Sequence, residues 1–279
     1  MKDAPLSSWV VGEFSFRRVW RSALIIVILL YAAFALYAWM FSDGLLFPAP
    51  PASYTDTAEI IKLTTADGAR ISAVYLENPQ AIHTILYSHG NGEDIGLVRF
   101  LLEDYRRFGF AVFAYDYRGY GTSKGKPSEA AVYADIDAAY DYLVKERKIA
   151  PESIIALGRS LGGGAAVDLA ARKPLGGLIM ESAFVSAFRV LTQAPLLPFD
   201  KFRNLPKMSR ARCPVLVIHG AEDEVIAYWH GEKLFAAAPE PKLLLRVEGA
   251  HHNDVFEVGG RRYYQALKDF AVLVSKNRK

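Results

Sequence analysis

Ile154–Gly164 reads Ile-Ile-Ala-Leu-Gly-Arg-Ser-Leu-Gly-Gly-Gly, and no other stretch restricts the fold as tightly. Four apolar residues run into Gly158-Arg159-Ser160-Leu161-Gly162, and Ala165-Ala166-Val167-Asp168-Leu169-Ala170 continues at helical spacing. The pattern predicts a strand, a sharp turn and a helix, with Ser160 in strained backbone and its hydroxyl exposed at the turn. Glycine is needed on both sides because a Cβ there would meet the neighbouring strand or helix. Chance alone supplies roughly 0.1 such three-position matches in a chain of this length. The reading therefore depends on the surrounding elements and on partners downstream.

From Ile60 onward strands alternate with helices, the signature of a mostly parallel sheet covered on both faces. Strands are expected at Ile60–Leu63 and Arg70–Leu76 around an Asp67-Gly68 turn, then at His83–Ser88, Phe110–Tyr115, Leu178–Met180, Val215–Ile218 and Leu243–Val247. Helical spacing marks Val98–Phe108, Glu129–Lys145, His230–Ala238 and Arg262–Val274. The 279 residues hold one large α/β domain with a segment left over at one end.

That segment carries much of the 52% apolar content. Lys2, Arg17, Arg18 and Arg21 precede an uncharged run, Ala23–Phe41, long enough to cross a bilayer, with Trp20, Tyr37 and Trp39 near its ends. A cleaved signal peptide is the competing reading, but the run exceeds an ordinary apolar core of such a peptide and no small-x-small site follows. Lys2 in place of glycine and the absence of a cysteine near the helix leave no lipid anchor. Because the basic residues precede the helix, residues 1–22 are expected in the cytoplasm, 23–41 in the membrane, 42–58 as a linker, and 59–279 as an extracytoplasmic catalytic domain, periplasmic in a bacterium. Phe47-Pro48-Ala49-Pro50-Pro51 reads as a stiff spacer. A net charge of +3 without a basic stripe argues against nucleic acid. The single cysteine, Cys213, allows no internal disulfide and reads as a buried small hydrophobe.

An alcohol is a poor nucleophile until a base takes its proton and an acid orients that base. Downstream of Ser160, Val215–Ile218 runs into His219-Gly220-Ala221-Glu222-Asp223-Glu224, and Leu243–Val247 runs into Glu248-Gly249-Ala250-His251-His252-Asn253-Asp254. Both loops fall at the carboxyl edge of a parallel sheet, where the turn at Ser160 also lies. Asp223 is the expected acid, Glu222 and Glu224 being solvated loop charges, and either His251 or His252 is the base. Oxyanion donors are expected from the backbone N–H of Leu161 and, in His89-Gly90-Asn91-Gly92, that of Asn91. His89 precedes the serine and is read as bracing its loop, as is His219. The histidines do not have metal-ligand spacing, and Gly119-Tyr120-Gly121 lacks the Lys-Ser/Thr ending of a phosphate loop. Neither metal nor organic cofactor is expected.

Taken with Tyr115-Asp116-Tyr117-Arg118-Gly119-Tyr120-Gly121, Tyr133-Ala134-Asp135-Ile136-Asp137-Ala138-Ala139, Glu222-Asp223-Glu224-Val225-Ile226 and His252-Asn253-Asp254, these residues make the chain resemble the α/β-hydrolase superfamily. Within it the resemblance is to membrane-attached α/β-hydrolase-domain serine hydrolases, some of which remove palmitoyl groups from protein cysteines. It covers roughly residues 60–270. It implies an α/β-hydrolase fold with a minimal cap, and it selects His252, since the family's base opens a His-Asn-Asp; here His251 stands where the family has glycine. The function expected is hydrolysis of a carboxylic ester or thioester by a Ser160-His252-Asp223 triad, on a small or lipid-like acyl ester or an acylated protein. A serine peptidase of the same fold and a non-catalytic membrane-bound binding protein are the alternatives. Val190, Leu191, Ala194, Leu196, Leu197, Pro198 and Phe199 form an apolar stretch that either lines a shallow acyl site or packs on the sheet.

Overall fold

A computed structural model describes residues 16–277. Lys2, and with it most of the expected cytoplasmic segment, lies outside the described residues. The chain divides into two compact units between Ser42 and Asp43. Helix α1 runs Phe16–Leu46, as far as Ser42 in the first unit, and is longer than the uncharged run because Arg17, Arg18 and Arg21 extend it at one end. Up to Phe41 its Leu, Ile, Val, Phe and Trp side chains are exposed all round rather than along one stripe.

The second unit is built on an eight-stranded sheet: β1 (Ile61–Thr64), β2 (Arg70–Leu76), β3 (Thr84–Ser88), β4 (Ala111–Tyr115), β5 (Ile154–Arg159), β6 (Gly177–Glu181), β7 (Val215–Gly220) and β8 (Lys242–Val247). The spatial order is β1-β2-β4-β3-β5-β6-β7-β8. β1 and β2 form the expected hairpin, closed by Thr65 N–H to the Ala69 carbonyl with Gly68 at φ +84°. β2 pairs antiparallel with β4, and every later pairing is parallel. This is the α/β-hydrolase arrangement expected from the sequence.

Alternate residues of the central strands enter two cores. Leu86, Phe113, Ala156, Met180 and Val217 face one layer, and Ile85, Val112, Ile155, Ile179 and Leu216 the other. Helices α2 (Arg99–Arg107), α3 (Glu129–Asp141), α4 (Gly162–Arg172), α7 (Trp229–Ala237) and α8 (Val255–Lys276) connect or close the strands. Ser128 Oγ caps α3 by accepting from Ala131 N–H. α8 starts seven residues before the expected Arg262, because two helical stretches are joined at Gly260, whose φ of +45° is open to glycine. The connection from β6 to β7 carries two short helices, α5 (Phe188–Leu191) and α6 (Asn204–Met208), and no extended cap.

Residues 43–58 are not a free spacer. Phe47 is only 6% exposed and meets Phe202 edge-on with ring centroids 6.0 Å apart. Ser53 N–H donates to Asp94, and Tyr54 hydroxyl donates to Asp116. Apolar and polar contacts together draw this stretch onto the domain. Since β3 and β5–β8 are parallel, the loops that follow them open at one edge of the sheet, and the candidate residues all lie on those loops.

Candidate active site

The turn after β5 is as tight as its sequence demands. Ser160 has φ +52°, a left-handed conformation costing a non-glycine residue about 1 to 3 kcal/mol. Its N–H donates to the Glu181 carbonyl at 2.9 Å, which fixes the strain against β6. A Cβ at Gly158 would lie 2.3 Å from the Gly162 carbonyl oxygen, and one at Gly162 would lie 2.0 Å from the Ser88 carbonyl oxygen. Both glycines therefore exist so that α4 can start directly against β5 and β3.

The structure brings Ser160, His252 and Asp223 together from three loops. His252 Nδ1 lies 2.8 Å from Asp223 Oδ2, and His252 Nε2 lies 3.1 Å from Ser160 Oγ. Burial alone would raise the Asp223 carboxyl, but hydrogen bonds from His219, His252 and Ile226 N–H hold it well below the usual carboxylate range. An ionised carboxylate only accepts, so Nδ1 carries the imidazole proton and Nε2 is left to accept from the serine hydroxyl. Asp223 Oδ1 takes Val225 N–H at 3.0 Å and Ile226 N–H at 2.7 Å, which fixes its orientation.

Its neighbours point elsewhere. His251 is exposed, with Nδ1 3.2 Å from Glu224 Oε2, an interaction that raises its pKa. Glu224 also accepts the His252 N–H at 3.3 Å, and Glu222 is exposed. His219 is buried with Nε2 2.7 Å from the Ile226 carbonyl and 3.3 Å from Asp223 Oδ2, so it braces the acid loop. His89 Nδ1 donates to the Gly90 carbonyl at 2.8 Å, and its Nε2 faces Asp116 at 3.5 Å. Burial favours the neutral ring, but the Asp116 carboxylate outweighs it and raises the His89 pKa. His89 thus holds the loop after β3 and does not touch Ser160.

Among the described residues, neither Leu161 N–H nor Asn91 N–H donates to a protein acceptor. Leu161 occupies the N-cap position of α4. Asn91 is held by its side chain, which accepts from Tyr120 hydroxyl at 2.7 Å and donates to the Leu46 carbonyl at 2.8 Å. Gly90 N–H donates to Glu93 at 2.7 Å, and Gly92 turns the chain at φ +76°.

One support was not anticipated from the sequence. The buried Arg159 guanidinium pairs with Glu93, lies 3.6 Å from Glu181, donates to Asn253 Oδ1 at 2.8 Å and reaches the His252 carbonyl at 3.3 Å. It links the residue before Ser160 to the loop bearing His252. Burial raises the Glu181 carboxyl, an effect only partly opposed by Arg159 and by the Tyr263 hydroxyl that donates to it. A charged residue at the end of an otherwise apolar strand was the one available signal. Cys213 is buried, and burial pushes its thiol up to about 12.

The apolar stretch after β6 divides by direction. Leu197, Pro198 and Phe199, with Val185, Leu205 and Pro206 and the polar Ser186, Arg189, Asp200 and Arg203, line a cavity of about 330 Å³. Val190 packs on the core, while Leu191, Ala194 and Leu196 are exposed.

Residues 79–199 match the family described as serine aminopeptidase, S33. α/β-Hydrolase domain-containing protein 17B of Xenopus tropicalis is 42% identical over 219 residues, covering 77% of this chain and 75% of that protein. The Homo sapiens protein 17B gives the same identity and coverage, and protein 17C of Mus musculus is 39% identical, with 77% of this chain and 68% of that protein covered. Among solved structures, an esterase of Pyrococcus furiosus, Pf2001, superposes with a TM-score of 0.67 at 18% identity, covering 80% of this chain and 97% of that one. A hydrolase from Pseudomonas aeruginosa does so with a TM-score of 0.61 at 20% identity, covering 77% and 99%. At these identities the structural likeness is one of fold.

Fold and relatives define the class: this is an α/β hydrolase. Within the class, the chain belongs to the family of the α/β-hydrolase domain-containing proteins 17.

Proposed function

We propose that the protein is a membrane-anchored serine hydrolase that cleaves a carboxylic ester or thioester through an acyl-enzyme on Ser160. The observation that carries this reading is the relay from Asp223 through His252 to Ser160, at 2.8 and 3.1 Å, on a strained turn. As Ser160 Oγ attacks the acyl carbon, His252 Nε2 takes its proton. The charge that develops on the carbonyl oxygen meets Leu161 and Asn91 N–H, each donor of this kind being worth roughly a hundred- to a thousandfold in rate. Collapse breaks the bond to the alcohol or thiol, which leaves with the proton from His252. Water then enters, His252 takes one of its protons, and hydroxide attack on the acyl-enzyme followed by proton return frees the acid and Ser160. Asp223 stays ionised throughout and holds the imidazole in one tautomer.

The anchor is α1, 31 residues long, whose large apolar side chains up to Phe41 are exposed. A helix of that length spans about 46 Å, enough for a bilayer and its head groups. We place the N-terminus in the cytoplasm and the catalytic domain outside; a reporter fused after Lys279 that works only in the cytoplasm would reverse this. We also assign the catalytic function to residues 59–279, against which residues 43–58 pack.

A peptidase is the second reading, favoured by the name of the family matched at residues 79–199. Turnover of a p-nitrophenyl ester, an acyl thioester and an aminoacyl anilide by the detergent-solubilised chain separates the two. The expected result is cleavage of the ester and thioester, with the anilide untouched and the activity reduced about 10⁴-fold or more in Ser160→Ala. Anilide cleavage above ester cleavage would favour the peptidase.

A further inference from the structure

We propose that residues 190–199, in the connection from β6 to β7, dock into a phospholipid surface, with Leu191 and Leu196 entering the head-group layer of the membrane that holds the chain. The inference rests on the anchored-hydrolase reading and adds to it the place from which substrate arrives.

Val190-Leu191-Thr192-Gln193-Ala194-Pro195-Leu196-Leu197-Pro198-Phe199 contains no charged residue. Leu191 is 91% exposed and Leu196 57% exposed. Basic residues flank the stretch. Arg189 lies before it, folded back onto the Thr192 and Gln193 carbonyls, and Lys201 and Arg203 lie after it. Two acids lie there and both are engaged: Asp200 by Ser186 hydroxyl at 2.6 Å and Phe188 N–H at 2.8 Å, and Asp43 by Lys201 Nζ at 3.1 Å. An uncharged apolar tip with a small excess of basic over acidic residues beside it suits an interface with anionic lipid.

Connectivity places this tip near the bilayer. The residues at the end of the apolar helix are tied to the same edge of the domain: Lys201 Nζ lies 3.1 Å from Asp43 Oδ1, Phe47 packs on Phe202, and Asn91 donates to the Leu46 carbonyl. A chain held by that helix keeps these residues at the membrane surface, and with them the connection and the loop after β3. Leu197, Pro198 and Phe199 line the 330 Å³ cavity together with Arg189, Asp200 and Arg203. A tip docked in this way would bring the domain to an acyl ester or thioester whose chain already resides in the bilayer.

The test uses the full chain in vesicles of phosphatidylcholine and phosphatidylglycerol. In a Cys213→Ser background, an NBD fluorophore is attached to Leu191→Cys or, as control at the other edge of the sheet, to Lys145→Cys. Emission at position 191 should be blue-shifted and quenched by spin-labelled lipid, with position 145 unaffected. Equal behaviour at the two positions overturns the proposal, as does a blue shift at 191 that persists in detergent and grows with protein concentration, which would assign the patch to a second copy. In parallel, Leu191→Glu combined with Leu196→Glu should lower turnover of a vesicle-borne long-chain ester about tenfold or more while leaving a soluble butyrate ester unchanged. Unchanged vesicle turnover contradicts the proposal. Absence of turnover on both esters in the unsubstituted chain would sink the hydrolase reading instead, and the quenching result would then judge the docking by itself.

Discussion

Arg159 joins Glu93, Glu181, Asn253 and the His252 carbonyl, so a single side chain ties the turn at Ser160 to the loop bearing His252. Arg159→Lys keeps the charge but loses the fork that serves these partners. It should lower kcat for a soluble ester about 10- to 100-fold with KM nearly unchanged, the signature of a shifted base rather than a lost binding contact. Arg159→Met leaves Glu181 buried without its cation and should cost about 3 to 5 kcal/mol of stability by denaturant unfolding. Gly162→Ala forces a Cβ to 2.0 Å from the Ser88 carbonyl oxygen and should cost about 3 kcal/mol or more, read from the same unfolding curves. The glycine requirement was legible in the sequence because the turn is local. The Arg159 network was not, since its partners lie at positions 93, 181 and 253 and only the sheet brings them together.

The connection between β6 and β7 starts from a fixed point, Val185 N–H donating to His230 Nδ1 at 3.1 Å. Burial, with the nearby Arg189 guanidinium, lowers the His230 pKa to about 4. A histidine kept neutral in the fold and near 6.5 when unfolded contributes stability that is complete above about pH 6.5 and fades as pH falls toward 4. Protonation also removes the acceptor for Val185, so Tm should drop between pH 7 and pH 5 by more in the unsubstituted chain than in His230→Gln. Equal drops would show that His230 does not hold the connection. Strands were legible to within a residue or two because alternating burial on both faces leaves apolar runs between turns. Helix α8 was read short because Gly259-Gly260 looks like a terminus, and α5 and α6 were not foreseen because neither reaches a second turn of apolar spacing.

At the scale of the whole molecule, the domain boundary follows Phe47 rather than the prolines after it. A chain starting at Asp43 keeps Phe47, Ser53 and Tyr54 on their partners, whereas one starting at Glu59 loses a buried phenylalanine and the contacts to Asp94 and Asp116. By calorimetry the shorter chain should melt about 10 °C below the longer one, since a buried phenylalanine is worth about 3 to 5 kcal/mol. Proline-rich composition concealed this, because what holds the segment is a tertiary contact with Phe202. Sheet, turn and the order of serine, acid and histidine could all be read in advance, each being confined to a short stretch. The central claim is that Ser160 is a nucleophile activated by His252. Its most direct test is the rate of fluorophosphonate labelling of the solubilised chain beside Ser160→Ala, His252→Ala and His251→Ala. The account predicts rapid labelling of the unsubstituted protein and of His251→Ala, and none in Ser160→Ala or His252→Ala. Labelling that survives in His252→Ala but vanishes in His251→Ala, or a folded unsubstituted protein that does not label, would contradict it.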